Sequence, residues 1–544
     1  MSPKGTAART VEAAMRTVLA WVLSGPVLLL SCHDAGYAPR PPVAISPVSA
    51  TAQVRCEDLT TLRLPHVAVT ESRVVPAGSP EPGAPSLPAH CRILGVSRPV
   101  PDSEIRFEVV IPVGDAWNGR YQQVGNGAFG GRIPEGDIRD ALADGYAVAG
   151  TDDGHDAKPA DASWALGHPE KVVDYGYRAV KETSDAARAI LRAHTGRAPK
   201  FSYFTGCSAG GREGLIQAQR YPDDFDGIVS GAPTIEVTHV LFGFAWNVQA
   251  LEETPASHIP RSKLDAIEAA ALAACGDEDG VIEDPLSCRF DPSVLRCTGP
   301  DTPRCLTDAQ VSALEKIYAG PRNPRTGALV EPGFEPGAEA EPHGAEPDGW
   351  SFWLTGAAPG EAGNTGQFRL SRSFFSYMVY DDPGYDLRRL DFDGAVAMAD
   401  ARVGAILNAT DPDLSAFRRH GGKLIHYHGW NDGVLPARDS VHYYERVEAK
   451  MGDPRSFYRL FMAPGMLHCQ LGRGPNVLST QSAITAWVEH GTPPDRVMAT
   501  KFVDDSPAKG VARTRPLCPY PQKAEWSGKG DRARAESYTC AGDR

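Results

Sequence analysis

The sequence predicts an α/β fold: a mostly parallel sheet covered by helices and interrupted by one large insertion. Three observations predict it. Short apolar runs alternate with helical stretches through the first part of the chain, the pattern stops after about residue 233, and it resumes near Lys423. Strand and helix periodicities in alternation are the mark of a sheet built from βαβ units. The composition suits a globular chain: of 544 residues, 42% are hydrophobic and 23% charged, and the 55 Gly and 46 Pro fall short of a low-complexity content. The 55 basic residues face 68 acidic ones, a net charge of −13 that repels phosphate backbones and argues against nucleic acid as a partner.

At the N-terminus Lys4, Arg9 and Arg16 precede an apolar run, Val18 to Leu30, which is short for a bilayer span and has the basic flank of an export signal. We read residues 1–32 as a signal peptide. It ends in Leu29-Leu30-Ser31-Cys32, which resembles a lipobox, so Cys32 is a candidate lipidation site and the lipidated N-terminus the only expected membrane attachment. An ordinary signal cut nearby is the alternative. Residues 33–55 are rich in Ala, Pro and Ser over most of their length and read as a flexible linker. The expected location is therefore exported: secreted, periplasmic or anchored at the envelope.

Export favours paired cysteines, and removing Cys32 from the 11 leaves an even set. Their order suggests Cys56 with Cys91, Cys275 with Cys288, Cys297 with Cys305 and Cys518 with Cys540, leaving Cys207 with Cys469. Other connectivities remain open to a sequence.

Along the body, residues 105–112 alternate with strand periodicity, and a run at 121–124 opens into the glycine-rich Gly125 to Gly131. A buried strand at 146–150, a helix over about 171–194, a strand at 201–205 and a helix to about Arg220 follow, then a short strand at 227–230. Helical pieces at 261–274 and 307–318 and a Pro/Gly-rich acidic loop at 331–348 fill the interruption. Strands return at 423–428 and 457–462. The reading divides the body into a catalytic domain, 56–233 with 401–544, and an inserted lid, 234–400.

Gly206-Cys207-Ser208-Ala209-Gly210 fits G-x-S-x-G where a strand meets a helix, the context of the nucleophile elbow of an α/β-hydrolase fold. Ser208 is the expected nucleophile. The helix N-terminus directs free N–H groups at developing negative charge, so the Ala209 N–H is one expected oxyanion donor. The second comes from a loop after an earlier strand, and we assign it to the Gly127 N–H, the alternative being a plain tight turn. A serine needs an imidazole to take its proton and a carboxylate to fix that imidazole, in the chain order Ser, acid, His. Asp432, just after the strand at 423–428, and His468, after the strand at 457–462, satisfy this order, with Asp439 the nearest substitute acid. His426 and His428 lie within a strand and read as structural. Reading Cys207 as the nucleophile is the lesser alternative, since a thiol beside a well-placed serine in an oxidising compartment is better explained by a disulfide. Far more chain separates Ser208 from Asp432 than the ~60–80 residues of two strand–helix units, and the surplus is the lid.

The set Cys207-Ser208, Asp432 and His468-Cys469 resembles the signature of the tannase and feruloyl esterase family, in which the two cysteines pair beside the triad. Thr151-Asp152-Asp153-Gly154-His155, Tyr177-Arg178-Ala179-Val180 and residues 221–227 extend the likeness over most of the chain from about Cys56. The resemblance implies a serine carboxylesterase that hydrolyses esters of aromatic acids through an acyl-enzyme, without choosing among galloyl, feruloyl, chlorogenic and terephthaloyl substrates. No organic cofactor is expected, and the expected partner is a small aromatic ester. An acyltransferase using the same triad and a non-catalytic surface-binding lipoprotein are the alternatives.

Members of the family carry a structural calcium in the lid, held by an Asp-rich loop just after a cysteine. Cys275 to Val281 occupies that place, which implies Asp277, Asp279 and the Val281 carbonyl as ligands. This loop is about four residues shorter than the usual one, so Glu278, Asp284 or water would have to complete the six to eight oxygens calcium takes; a solvated acidic turn is the alternative. The lid also holds Trp350, Phe352, Trp353, Phe374, Phe375 and Tyr377, with Arg369 and Arg372 nearby. They suit an aromatic slot with a cation for a free carboxylate, although most are expected to be lid core.

Overall fold

A computed structural model describes residues 53–79, 86–341, 349–356 and 364–542. The expected leader, Cys32 and most of the linker lie outside the described residues. Nine strands form the central sheet: β1 (Val67–Val75), β2 (His90–Ser97), β3 (Ile105–Pro112), β4 (Arg120–Val124), β5 (Ala147–Thr151), β6 (Phe201–Cys207), β7 (Gly227–Gly231), β8 (Lys423–Gly429) and β9 (Tyr458–Ala463). Their spatial order is β1-β2-β3-β5-β4-β6-β7-β8-β9. The pairs from β1 to β5 along the first edge are antiparallel, and those from β5 through β4 to β9 are parallel. This is the architecture of an α/β-hydrolase fold, with an inserted lid.

The burial pattern follows from this placement. β5 and β7 are covered on both faces and buried at every position, as parallel strands flanked by helices must be. β1, at the edge, is exposed at most positions. In β6 successive side chains go to opposite faces, so Tyr203 and Phe204, both fully buried, belong to the two different cores that sandwich the sheet. On one face the Ala179–Thr195 helix supplies Val180, Ala187, Ile190 and Leu191, a stripe at helical spacing. This helix stops at Gly196, whose φ of 74° lets its N–H close on the Arg192 carbonyl.

Between β7 and β8 lies the lid, made chiefly of helices, among them Val237–Glu252, Leu264–Cys275, Asp308–Ala319 and Gly366–Phe374. One apolar core, with Phe242, Phe374 and Phe375, packs it against Phe129, Trp164 and Tyr175, and another, with Ile267, Leu314 and Trp350, lies among its own residues. A capping box between Thr307 and Gln310 starts the Asp308–Ala319 helix. After β9 the chain adds a small antiparallel sheet of β10 (Val477–Leu478), β11 (Val497–Phe502) and β12 (Val511–Leu517). The antiparallel β1–β2 pair and this C-terminal sheet have no counterpart in the sequence reading.

Candidate active site

Ser208 sits at the sharp turn between β6 and the Ala209–Arg220 helix, with φ 63° and ψ −123°. Such a conformation costs about 1–3 kcal/mol for a residue with a side chain, and surrounding contacts must hold it. Here the Ser208 N–H donates to the Gly231 carbonyl at 2.9 Å, and the Ser208 carbonyl accepts from Arg212 N–H at 3.0 Å. The glycines are there for close approach. A Cβ on Gly206 would lie 2.6 Å from the Gly210 backbone, and one on Gly210 would lie 2.8 Å from the Asn126 carbonyl oxygen.

That second contact joins the helix to the glycine-rich loop after β4. The Gly210 N–H donates to Asn126 O at 2.6 Å, the Asn126 N–H to the buried Glu213 carboxylate at 3.1 Å, and the Asn126 amide to Thr151 O at 2.8 Å. Farther along, Tyr175 O–H donates to Ala128 O at 2.8 Å, and His155 Nε2 bonds Phe129 O at 2.6 Å. The His155 ring stacks on Trp164 at 3.8 Å, and burial pushes its pKa down to about 4. Among the described residues neither the Gly127 nor the Ala209 N–H has an acceptor.

Asp432 follows β8 and is buried. One carboxylate oxygen accepts from the Val434 and Leu435 N–H groups at 2.7 and 2.9 Å. The other accepts from His468 Nδ1 at 2.6 Å, and also from His428 Nε2 at 3.1 Å. Burial alone would raise this carboxyl, but the charge of His468 and the bonds from both histidines outweigh it and hold it below the ordinary carboxylate range. Asp439, the substitute acid, is buried in a different group of carboxyls with Glu331 and Glu236 and has no bond to His468.

The strand and base loops are tied covalently. Cys207 and Cys469 form a disulfide with Cα atoms 6.2 Å apart across a sequence separation of 262, a closure worth about 5 kcal/mol on the loop-entropy model. The other disulfides are Cys56–Cys91, Cys275–Cys288, Cys297–Cys305 and Cys518–Cys540.

Ser208, His468, Gly127 and the Cys207–Cys469 bridge line one cavity of about 810 Å³, within the range of small-molecule sites. Its lid side is apolar, with Val240, Leu241, Phe244, Trp353 and Leu370. Its opposite side is polar, with Arg132, Asp137, Asp140 and Gln481. Of the six lid aromatics singled out in the sequence, Trp353 lines the cavity, whereas Phe374 and Phe375 are fully buried in one lid core and Trp350 in another. Arg369 and Arg372 are exposed and do not line it, and Arg369 packs over the Phe352 ring at 5.7 Å. The cation that borders the cavity is Arg132.

In the acidic turn of the lid, Asp279 and Glu283 meet arginines of β12. The Val281 carbonyl accepts the Asp277 N–H at 2.8 Å. The Asp279 carboxylate is paired with Arg515, and with Arg513 at 3.2 Å, both from β12. Arg515 also bonds Glu283 at 2.8 Å. Arg515 thus balances one Asp279 oxygen and Glu283, while the other Asp279 oxygen, Oδ1, is buried without a hydrogen-bond partner. Among the described residues the donor atoms that do converge are those of Cys297, Asp301 and Cys305, and there the two sulfurs are bonded to each other.

The model of the family described as tannase and feruloyl esterase matches residues 91–541. The chain belongs to that family. It is 43% identical over 537 residues to an uncharacterized esterase of Xanthomonas campestris pv. campestris, covering 90% of this chain and 92% of that one. It is 33% identical over 521 residues to the mono(2-hydroxyethyl) terephthalate hydrolase of Piscinibacter sakaiensis, covering 84% and 86%. Among solved structures, feruloyl esterase B of Aspergillus oryzae superposes with a TM-score of 0.78 at 26% identity, over 90% of this chain and all of that one. Membership in the tannase and feruloyl esterase family makes this chain a carboxylic ester hydrolase. The residue that sequence reasoning undervalued is His428, whose second bond to Asp432 has no motif to announce it.

Proposed function

We propose that the protein is an exported serine carboxylesterase that cleaves esters of aromatic acids through an acyl-enzyme. The observation that carries this reading is the meeting, at one cavity, of the strained Ser208 elbow with an imidazole whose Nδ1–H is bound to a buried carboxylate. With Nδ1–H donated to Asp432, the other ring nitrogen of His468, Nε2, carries the lone pair that accepts a proton. Ser208 Oγ attacks the ester carbonyl carbon while its proton passes to His468 Nε2. The oxyanion is stabilised by the Gly127 and Ala209 N–H groups. As the tetrahedral intermediate collapses, the C–O bond breaks and the leaving alcohol takes the proton from His468. Water then repeats the sequence on the acyl-enzyme, releasing the acid and free Ser208.

The apolar side of the cavity suits the aromatic acyl group, with Trp353 against the ring. Arg132 on the polar rim suits a carboxylate or a polar substituent. The names of the relatives, a terephthalate monoester hydrolase and feruloyl esterases, support an aryl ester. The five disulfides support an oxidising compartment. Hydrolysis rates on gallate, ferulate, chlorogenate and terephthalate monoesters, with Ser208→Ala as control, test the reading. Turnover of at least one aryl ester, abolished in the folded variant, is expected; activity retained without the Ser208 hydroxyl would remove it.

A further inference from the structure

The bond from His428 to Asp432 is the end of a longer buried chain. His428 Nδ1 is 2.6 Å from Ser440 Oγ, on the helix Ala437–Met451. Ser440 Oγ is 2.8 Å from His426 Nε2, and His426 Nδ1 is 2.8 Å from the Tyr458 hydroxyl on β9. His426, His428, Ser440 and Tyr458 are all fully buried. Three elements, β8, β9 and one helix, thus bring four polar groups into a single file that ends on the carboxylate bound to His468.

Starting from the charged end, one set of proton directions satisfies the whole file. An ionised carboxylate only accepts, so His428 must donate through Nε2–H. With the other nitrogen, Nδ1, accepting, the Ser440 O–H points to His428 and the Ser440 oxygen accepts from His426 Nε2–H. His426 Nδ1 in turn accepts from the Tyr458 O–H. No donor opposes a donor anywhere along the line. Burial above all pushes the His426 pKa well below the ordinary imidazole range, and burial keeps the Tyr458 phenol protonated. The titratable groups facing Asp432 are His468 and His428. Those facing His426 are His428 and Tyr458, and the phenol rings of Tyr443 and Tyr444 pack on that of Tyr458.

We propose that His428, Ser440, His426 and Tyr458 are positioning residues that act through Asp432: a polarised hydrogen-bond chain that keeps the carboxylate ionised and aimed at His468. The proposal rests on the catalytic reading above and deepens it. A buried carboxylate with a single imidazole partner would bind the His468 proton more tightly. The His428 donor takes up part of the carboxylate's charge and so moderates the basicity of His468.

The test is the pH profile of kcat/KM on one aryl ester, with kcat and KM measured separately. His428→Leu removes the donor and is expected to lower kcat on the order of tenfold, with KM unchanged within about twofold. Its acid limb should move to higher pH by roughly half a unit, because the unmoderated carboxylate holds the His468 proton more tightly. His428→Gln, which keeps an N–H donor, should recover most of both changes. Ser440→Ala should shift the limb in the same direction by less, and Tyr458→Phe by less again. An acid limb that stays fixed in Ser440→Ala and Tyr458→Phe, with only the melting temperature falling, would overturn the proposal, and these two variants decide the matter even where His428→Leu does not fold. Fluorophosphonate labelling of the wild-type protein separates the two levels: an unlabelled Ser208 defeats the catalytic reading, whereas a labelled Ser208 with an unmoved limb defeats this proposal alone.

Discussion

The nucleophile and the base of this site are held in opposite ways. Ser208 is placed by main chain: a strand, a helix and two glycines crowd against one another, and its backbone bonds join it to the next strand and to its own helix. His468 is placed by side chains: the Asp432 carboxylate, the disulfide that ties its neighbour Cys469 to Cys207 and, behind Asp432, the imidazole of His428. Main-chain constraints are local and leave a five-residue motif. Side-chain constraints join residues from 4 to 262 positions apart and leave their trace only in the order of the partners along the chain. Substitutions at the two poles should therefore fail differently.

The largest effect is expected from the carboxylate. Asp432→Asn keeps the shape but presents an amide where His468 needs an acceptor, and should lower kcat by about 10³–10⁴-fold with KM little changed, read from steady-state kinetics. Removing the disulfide by Cys207→Ser with Cys469→Ser frees the base loop from the strand that carries the Ser208 elbow. It should remove a large part of about 5 kcal/mol of stability, measured by denaturant unfolding of the otherwise oxidised protein. Next comes the oxyanion loop. The His155 pKa is about 4 folded against 6.5 for the free side chain, so the unfolded chain takes up the proton first. Its contribution is complete above about pH 6.5 and is lost as pH falls toward 4, a change of at most about 3 kcal/mol. His155→Gln should flatten that part of the stability curve, and an unchanged slope would place the acid sensitivity elsewhere. Smaller still, Trp353→Ala should raise KM several-fold for aryl esters while leaving kcat nearly intact, because an apolar wall residue of the cavity contributes binding common to substrate and transition state.

The elbow, the order of the site residues and the alternating strands were legible because each rests on short-range physics: a turn that demands glycine, a period of two, a period of 3.6. The lid was legible only as surplus chain. Which of its aromatics faces the cavity depends on how helices with several apolar faces pack, and Trp353 is not distinguished from Phe374 by any local pattern. The acidic turn shows the same limit from the other side. Asp277 and Asp279 carry the composition of a calcium loop, but the arginines that meet Asp279 come from β12, a strand the sequence pattern did not reveal. The smallest expected effect follows from it: a calcium chelator should leave the melting temperature unchanged, and a marked drop would restore the metal. His428 was read as a core histidine, which it is; its second role lies in which atom its Nε2 meets.

The central claim is that Ser208 is an activated nucleophile. It is tested most directly by treating the protein with a fluorophosphonate and locating the adduct by peptide mass spectrometry. The account predicts one adduct per chain, on the Ser208 hydroxyl, formed far more slowly in Asp432→Asn. No adduct, or an adduct on another residue with Ser208 untouched, would contradict it.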